Sequence, residues 1–408
     1  MDGSARRMGH RTPLSRLMLA LALTCALGWL FKAQCGATGW VASKQYVTGC
    51  YSDAVPFWGL RGVAGGAVPY FEARLEYPVL TGALIWVDGA VTRLLFGSVA
   101  NEWRFLDVVT LANALLAALL LVMLWRARLD DRRLWAWAVA PPLILYVGHN
   151  WDMLVVTFAI AALLAARDGR LVRAAATAGL GVAAKLFPIV ILPLIGLQAL
   201  TQGTGVARRV RHAAIVTAAA IAAWGVVNAA PALFAREAWL EFYTFSQNRA
   251  GTAASIWEIL AARGWAADVA QRNLYAGAAF AAGYAAILAL GWRRHRARLW
   301  LLAGPALAWF MLTNKVYSPQ FDLWLYPVLL LTAPRLWPVI AFALAGIGAY
   351  FAEFWWFATT DGVPLGVTTG HIAFFAGLRA VAMLVVIVDG ITRAAPDWID
   401  RERTASDS

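Results

Sequence analysis

Asp53 stands in the run Cys50-Tyr51-Ser52-Asp53, a polar turn in an otherwise apolar chain. A Gly- and Pro-rich stretch follows, through Arg61-Gly62, Pro69-Tyr70 and Glu76-Tyr77-Pro78. Function-bearing loops are held by a rigid scaffold. A carboxylate held at a membrane surface suits a general base acting on a lipid-borne substrate. Tyr51, Arg61, Glu76 and Tyr77 share the loop as candidate substrate contacts. Carboxylates beside aromatic rings suit sugars, which offer hydroxyls for hydrogen bonds and C–H faces for stacking. The plainer reading of Asp53 is a turn carboxylate that caps a helix.

Three more groups have the types and spacing for chemistry. Gly148-His149-Asn150-Trp151-Asp152 falls at a junction of two apolar runs, where ionisable groups are costly and usually face a cavity. A hairpin turn would account for Gly148 and Asn150 equally well, with His149 and Asp152 as ordinary interface residues. Lys185, in Ala184-Lys185-Leu186-Phe187-Pro188, interrupts an apolar stretch from Ala174 to Leu200. A broken helical hairpin with Lys185 near its tip would present an ammonium to a phosphate, and the plainer reading is a snorkelling lysine. The run Asn314 to Asp322 supplies Lys315 as a point charge and Ser318 and Gln320 as neutral donors, a set suited to a phosphate ester. His371, Arg379, Arg249 and Glu353 are weaker candidates.

The elements that must position these residues are membrane helices. Of 408 residues, 61% are hydrophobic and 14% charged, and the mean hydropathy is +0.63. That composition describes an all-α polytopic membrane protein. The net charge of +12 does not point to nucleic acid. The basic residues fall in short clusters between apolar runs, such as Arg126, Arg128, Arg132 and Arg133, or Arg208, Arg209 and Arg211, as in inner-membrane proteins. Apolar runs bounded by charge predict about twelve spans, at 14–34, 106–125, 134–149, 151–167, 172–184, 186–200, 212–230, 274–291, 299–313, 321–333, 336–357 and 371–391. One membrane domain then fills the chain, with both termini and the 392–408 tail cytoplasmic.

Residues 35–105 form a long outer loop in this reading. Within it, Val79 to Phe96 is apolar enough to cross, but a span there would put the Arg clusters outside. Asp88 and Arg93 also interrupt it, so it is expected as an amphipathic helix in the outer interface. Cys35 and Cys50 fall on the side where disulfides persist, and either a bridge or two free thiols fits. There is no P-loop, GxGxxG, HExxH or CxxC, so neither nucleotide hydrolysis nor a zinc site has motif support.

Taken in order, Tyr51-Ser52-Asp53, Arg61-Gly62, Pro69-Tyr70, Glu76-Tyr77-Pro78, Asn150-Trp151-Asp152, Lys185-x-x-Pro188 and Lys315 to Gln320 resemble glycosyltransferase family 87, of the glycosyltransferase C superfamily. The resemblance runs from about Arg16 to Asp389. It implies a polyprenyl-phosphate sugar donor, a glycolipid or glycan acceptor and an active site on the outer face of the plasma membrane. The sugar is expected to be mannose, or next arabinofuranose. It also implies that Asp53, in the first outer loop, is the catalytic base. Lys185, Lys315, Ser318 and Gln320 would then hold the donor phosphate, and Tyr51, Arg61, Glu76, Tyr77, His149, Asn150 and Asp152 would contact substrate. No cofactor or metal is called for. The rival reading is a lipid or solute transporter, which broken helices would also suit.

Overall fold

The computed structural model describes residues 11–265 and 267–399. The expected cytoplasmic ends include Arg6, Arg7, Arg401 and Arg403, which lie outside the described residues. The described residues are helical with no strands, and only an isolated bridge joins Pro69 to Ala73. In chain order the helices are α1 (Leu14–Ala33), α2 (Lys44–Val47), α3 (Ala54–Leu60), α4 (Val79–Phe96), α5 (Glu102–Arg126) and α6 (Asp131–Ala138). Next come α7 (Pro141–Tyr146), α8 (Asp152–Arg167), α9 (Leu171–Ala184), α10 (Leu192–Thr201), α11 (Val206–Phe234) and α12 (Arg236–Asn248). The last are α13 (Ile256–Ala261), α14 (Val269–His295), α15 (Ala303–Thr313), α16 (Phe321–Thr332), α17 (Trp337–Thr360) and α18 (Thr369–Thr392).

Among the described residues, seven helices are long and apolar enough to cross a membrane: α1, α4, α5, α11, α14, α17 and α18. The protein is therefore a membrane-embedded helical bundle. The twelve expected spans do not appear as twelve long helices. The run 134–149 divides into α6 and α7 because Pro141 and Pro142 cannot donate to a continuing ladder, and Pro141 instead opens α7. The run 186–200 begins as a 3₁₀ turn over Phe187–Val190, with α10 after it. The apolar α9, α15 and α16 are 14, 11 and 12 residues long, below the ~20 a straight crossing needs. The helix expected at 79–96 forms with those bounds, and by length and apolarity alone it ranks with the seven.

Helix ends are set by local chemistry. Asn101 Oδ1 accepts from the Trp103 and Arg104 amides to start α5, and Asp130 starts α6 in the same way. Asp268 and Gln271 form a capping box on α14. His371 belongs to another such box with Thr368 on α18, which accounts for this weaker candidate. α9 packs closely along α11 through Gly179, where a Cβ would lie 2.4 Å from the Ala220 carbonyl. The apolar residues left exposed, such as Leu19, Leu23 and Leu27 on α1 and Val381 and Val388 on α18, are the surface a bilayer would cover.

A second core sits beside the main bundle core. Phe57 and Trp58 of α3, Val63, Tyr70, Leu75 and Tyr77 of the following loop, and Ile85 of α4 bury against Phe105, Leu106 and Trp151. Burial of each such side chain is worth roughly 1.5–3 kcal/mol. This core fixes the 54–78 segment on α4 and α5 and thereby fixes its neighbour, Asp53.

Candidate functional site

Asp53 directly precedes α3, yet its side chain makes no capping hydrogen bond. Ser52 takes that local role, its Oγ accepting from the Ala54 amide at 3.2 Å. Asp53 Oδ2 instead accepts from the Tyr77 hydroxyl at 3.0 Å. Asp53 as a whole residue is partly exposed. Burial raises it above the usual carboxylate range, against the opposing effects of the Tyr77 hydroxyl, the Lys185 ammonium and the Tyr51 hydroxyl, while the Asp152 charge raises it further. Of the two readings of Asp53, the cap is thus not the one the geometry fits.

Lys185 is the break itself. α9 ends at Ala184, Lys185 is extended, and the 3₁₀ turn begins two residues on. Thr81 of α4 secures the break by donating to the Ala184 carbonyl at 2.7 Å. The ammonium does not snorkel. It pairs with Asp152 Oδ1 at 2.5 Å and lies 4.9 Å from the Tyr77 ring centroid and 5.3 Å from that of Trp324. Asp152 Oδ2 accepts from Trp324 Nε1 at 2.7 Å, so both of its oxygens are engaged. Asp53, Tyr77, Lys185, Asp152 and Trp324 therefore form one connected cluster, drawn from the first loop, α8, the α9 break and α16.

His149 and Asn150 are 2% and 1% exposed and lie behind Asp53, away from any open face. The His149 carbonyl accepts from the Asp53 amide at 2.8 Å and from Ser52 Oγ at 3.3 Å. Asn150 Oδ1 accepts from the Asp152 amide at 3.0 Å and so leads into α8. The His149 main chain and the Asn150 side chain thus hold the turn from within, with both side chains buried. Tyr51 is held in an aromatic group, stacked on Trp40 at 5.3 Å and Tyr46 at 6.0 Å. The neighbouring Asp53 charge, and then burial, push its hydroxyl up. Arg61 and Glu76 bind each other through two hydrogen bonds of 2.8 Å. With Leu60, Gly62, Ala73, Arg74 and Glu241 they line an open recess beside Tyr77.

Lys315 stands apart from the Asp53–Lys185 cluster. It is 4% exposed and donates to the Gln247 carbonyl at 2.7 Å. Burial, with Arg249 and Arg272 as like-charged neighbours, holds it below the usual lysine range. Ser318 and Gln320 are partly exposed, and their side chains make no hydrogen bond among the described residues. The residue linking the two regions is Arg249, ranked low from sequence. Its guanidinium lies 5.3 Å from the Phe245 ring and within electrostatic reach of Asp53 and Tyr77, and it has no ion pair among the described residues. Its place just after the amphipathic α12 was the available signal.

Sequence reasoning also missed Trp151, whose indole donates to Asp88 at 3.1 Å, and Lys32, treated below. A separate buried group lies deeper. Arg379 Nη1 is 3.3 Å from Asp322 Oδ1, its guanidinium lies 3.7 Å from the Tyr317 ring centroid, and Tyr317 donates to Asp322 at 2.7 Å. This group ties the 314–320 loop to α16 and α18. Among the described residues, no three His, Cys, Asp or Glu side chains stand together as a metal site.

No family model matches the chain, and no curated protein matches it.

Proposed function

We propose that this protein is a membrane glycosyltransferase that moves a sugar from a polyprenyl-phosphate donor to a glycolipid or glycan acceptor on the outer face of the plasma membrane. The observation that carries the reading is the surroundings of Asp53: a partly exposed aspartate, not used as a cap, on Tyr77 and beside Lys185, with an ion-pair-free Arg249 in reach. Asp53 takes the proton of an acceptor hydroxyl as the hydroxyl oxygen attacks the anomeric carbon. The bond from that carbon to the phosphate oxygen breaks, its electron pair leaves on the lipid phosphate, and the configuration inverts. General-base help of this kind gives about 10²–10⁴-fold.

The departing phosphate gains charge as the bond breaks, so cations aimed at it lower the barrier. Arg249 suits that role because it forms no ion pair among the described residues. Lys185 shares one of its three N–H groups with Asp152 and can offer another. Lys315 adds positive potential from behind Arg249. The Arg61–Glu76 recess, with its charges already paired, suits a neutral, hydroxyl-rich acceptor.

The test is transfer by the purified protein in lipid or detergent. It is incubated with radiolabelled polyprenyl-phosphate mannose, then polyprenyl-phosphate arabinose, and an envelope lipid extract, beside Asp53→Asn. Label that reaches an acceptor only with the intact aspartate supports the proposal and identifies the sugar. Absence of transfer from either donor by folded protein speaks against it.

A further inference from the structure

Lys32 lies in the last turn of α1, with 0% of its surface exposed. Among the described residues, no carboxylate hydrogen-bonds to it. Its ammonium donates to the Tyr51 carbonyl at 2.8 Å, the Gly49 carbonyl at 3.1 Å and the Tyr350 hydroxyl at 2.7 Å, and lies 3.3 Å from His149 Nδ1. Tyr350 donates in turn to the Gly49 carbonyl at 2.5 Å, which leaves its oxygen free to accept from Lys32.

Three of these partners lead to Asp53. Gly49 and Tyr51 form the chain leading into Asp53, and His149 supplies the carbonyl that binds the Asp53 amide. The carboxylate that acts electrostatically on Lys32 is Asp53. A buried cation surrounded by neutral acceptors is costly, and such a group persists where it holds something in place.

We infer that Lys32 is a positioning residue for Asp53, clamping the backbone that leads into it against α1, Tyr350 and the His149 turn. This rests on the proposed role of Asp53 as base. The other charged or titratable groups facing Asp53 are Tyr51, Tyr77, Lys185, Asp152 and Arg249. They come from the first loop, α8, the α9 break and the segment after α12, whereas Lys32 comes from α1.

The experiment uses the full-length protein in detergent. The Asp53 carboxyl is titrated by pH-dependent carbodiimide coupling to an amine, read by peptide mass spectrometry, in wild type and Lys32→Met. Loss of the clamp changes how the turn seats Asp53 against Tyr77, so the Asp53 midpoint moves, with the Cys35–Cys50 bridge still closed. An unchanged midpoint in folded Lys32→Met overturns the inference. Where Lys32→Met does not fold, Tyr350→Phe removes one partner only, and hydrogen exchange of the 48–54 peptide rises several-fold; unchanged exchange overturns the clamp. The titration needs no enzymatic turnover, so its outcome is separate from that of the transferase reading. Where transfer is measured, Lys32→Met lowers kcat about a hundredfold and leaves the donor KM nearly unchanged, as a small misplacement of a base would.

Discussion

Lys185 and Asp152 meet at 2.5 Å across the break between α9 and its 3₁₀ continuation, and the far oxygen of Asp152 is taken by the Trp324 indole. The pair joins α8, α9 and α16 at the point where Tyr77 carries Asp53. Asp152 is 1% exposed, so its charge has no solvent to turn to. Lys185→Met therefore strands a buried carboxylate and costs about 3 kcal/mol. The double variant Lys185→Met/Asp152→Asn recovers most of that loss. Thermal unfolding in detergent measures both, and a double variant no better than the single one contradicts the pairing.

Asp53→Asn keeps the shape of the side chain and its contact with Tyr77 but cannot take a proton. Transfer falls by about 10²–10⁴-fold while the melting temperature stays within a few degrees. A variant that retains transfer contradicts the assignment of Asp53 as base.

The pH dependence follows from the environment of Asp53. Burial raises its carboxyl, so the base form is lost as pH falls through a midpoint above the usual aspartate range. The acid limb of kcat/KM reports this midpoint. Tyr77→Phe removes a hydrogen bond that favours the carboxylate and moves the limb to still higher pH. A shift to lower pH in Tyr77→Phe runs against this account.

Arg249→Gln removes the guanidinium closest to having no partner in the site. A hydrogen bond to a charged group is worth about 1.5–3 kcal/mol, so the donor KM rises roughly ten- to a hundredfold. Initial rates across donor concentration read this directly. An unaltered KM moves the phosphate elsewhere.

Cys35 and Cys50 are bridged, 15 positions apart in sequence. Replacing both by serine removes a loop closure worth about 3 kcal/mol. The melting temperature falls, and reductant then has no further effect on it.

Much of this arrangement is visible in the residue order because chemistry leaves charged residues where apolar ones are expected. Asp53 in its Gly/Pro-rich loop and Lys185 before Pro188 are both conspicuous in that way, and they end in one cluster. The bounds of α4 follow from a largely apolar run that starts after Pro78 and ends at Gly97. Lys32 was not legible, because one lysine at the end of an apolar run reads as a helix terminus at the interface. Only tertiary packing shows that it turns inward to four partners. Arg249 was underrated for a similar reason: its distance from Asp53 in sequence hides the approach made by the segment after α12. The count of crossings was the least legible feature. A hydropathy run does not report where prolines divide it, as Pro141 and Pro142 do between α6 and α7. Nor does it distinguish a short helix buried by neighbours from a span.

The bridge between Cys35 and Cys50 also imposes an order on the maturation of this protein. Thiols are oxidised in exported compartments and kept reduced in the cytosol. If the loop stands on the outer face, as proposed, the turn bearing Gly49, Tyr51 and Asp53 is sealed only after it has reached the oxidising side. A chain inserted the wrong way round keeps two free thiols and an unsealed turn, so its orientation error is recorded at the very residue on which activity is proposed to depend.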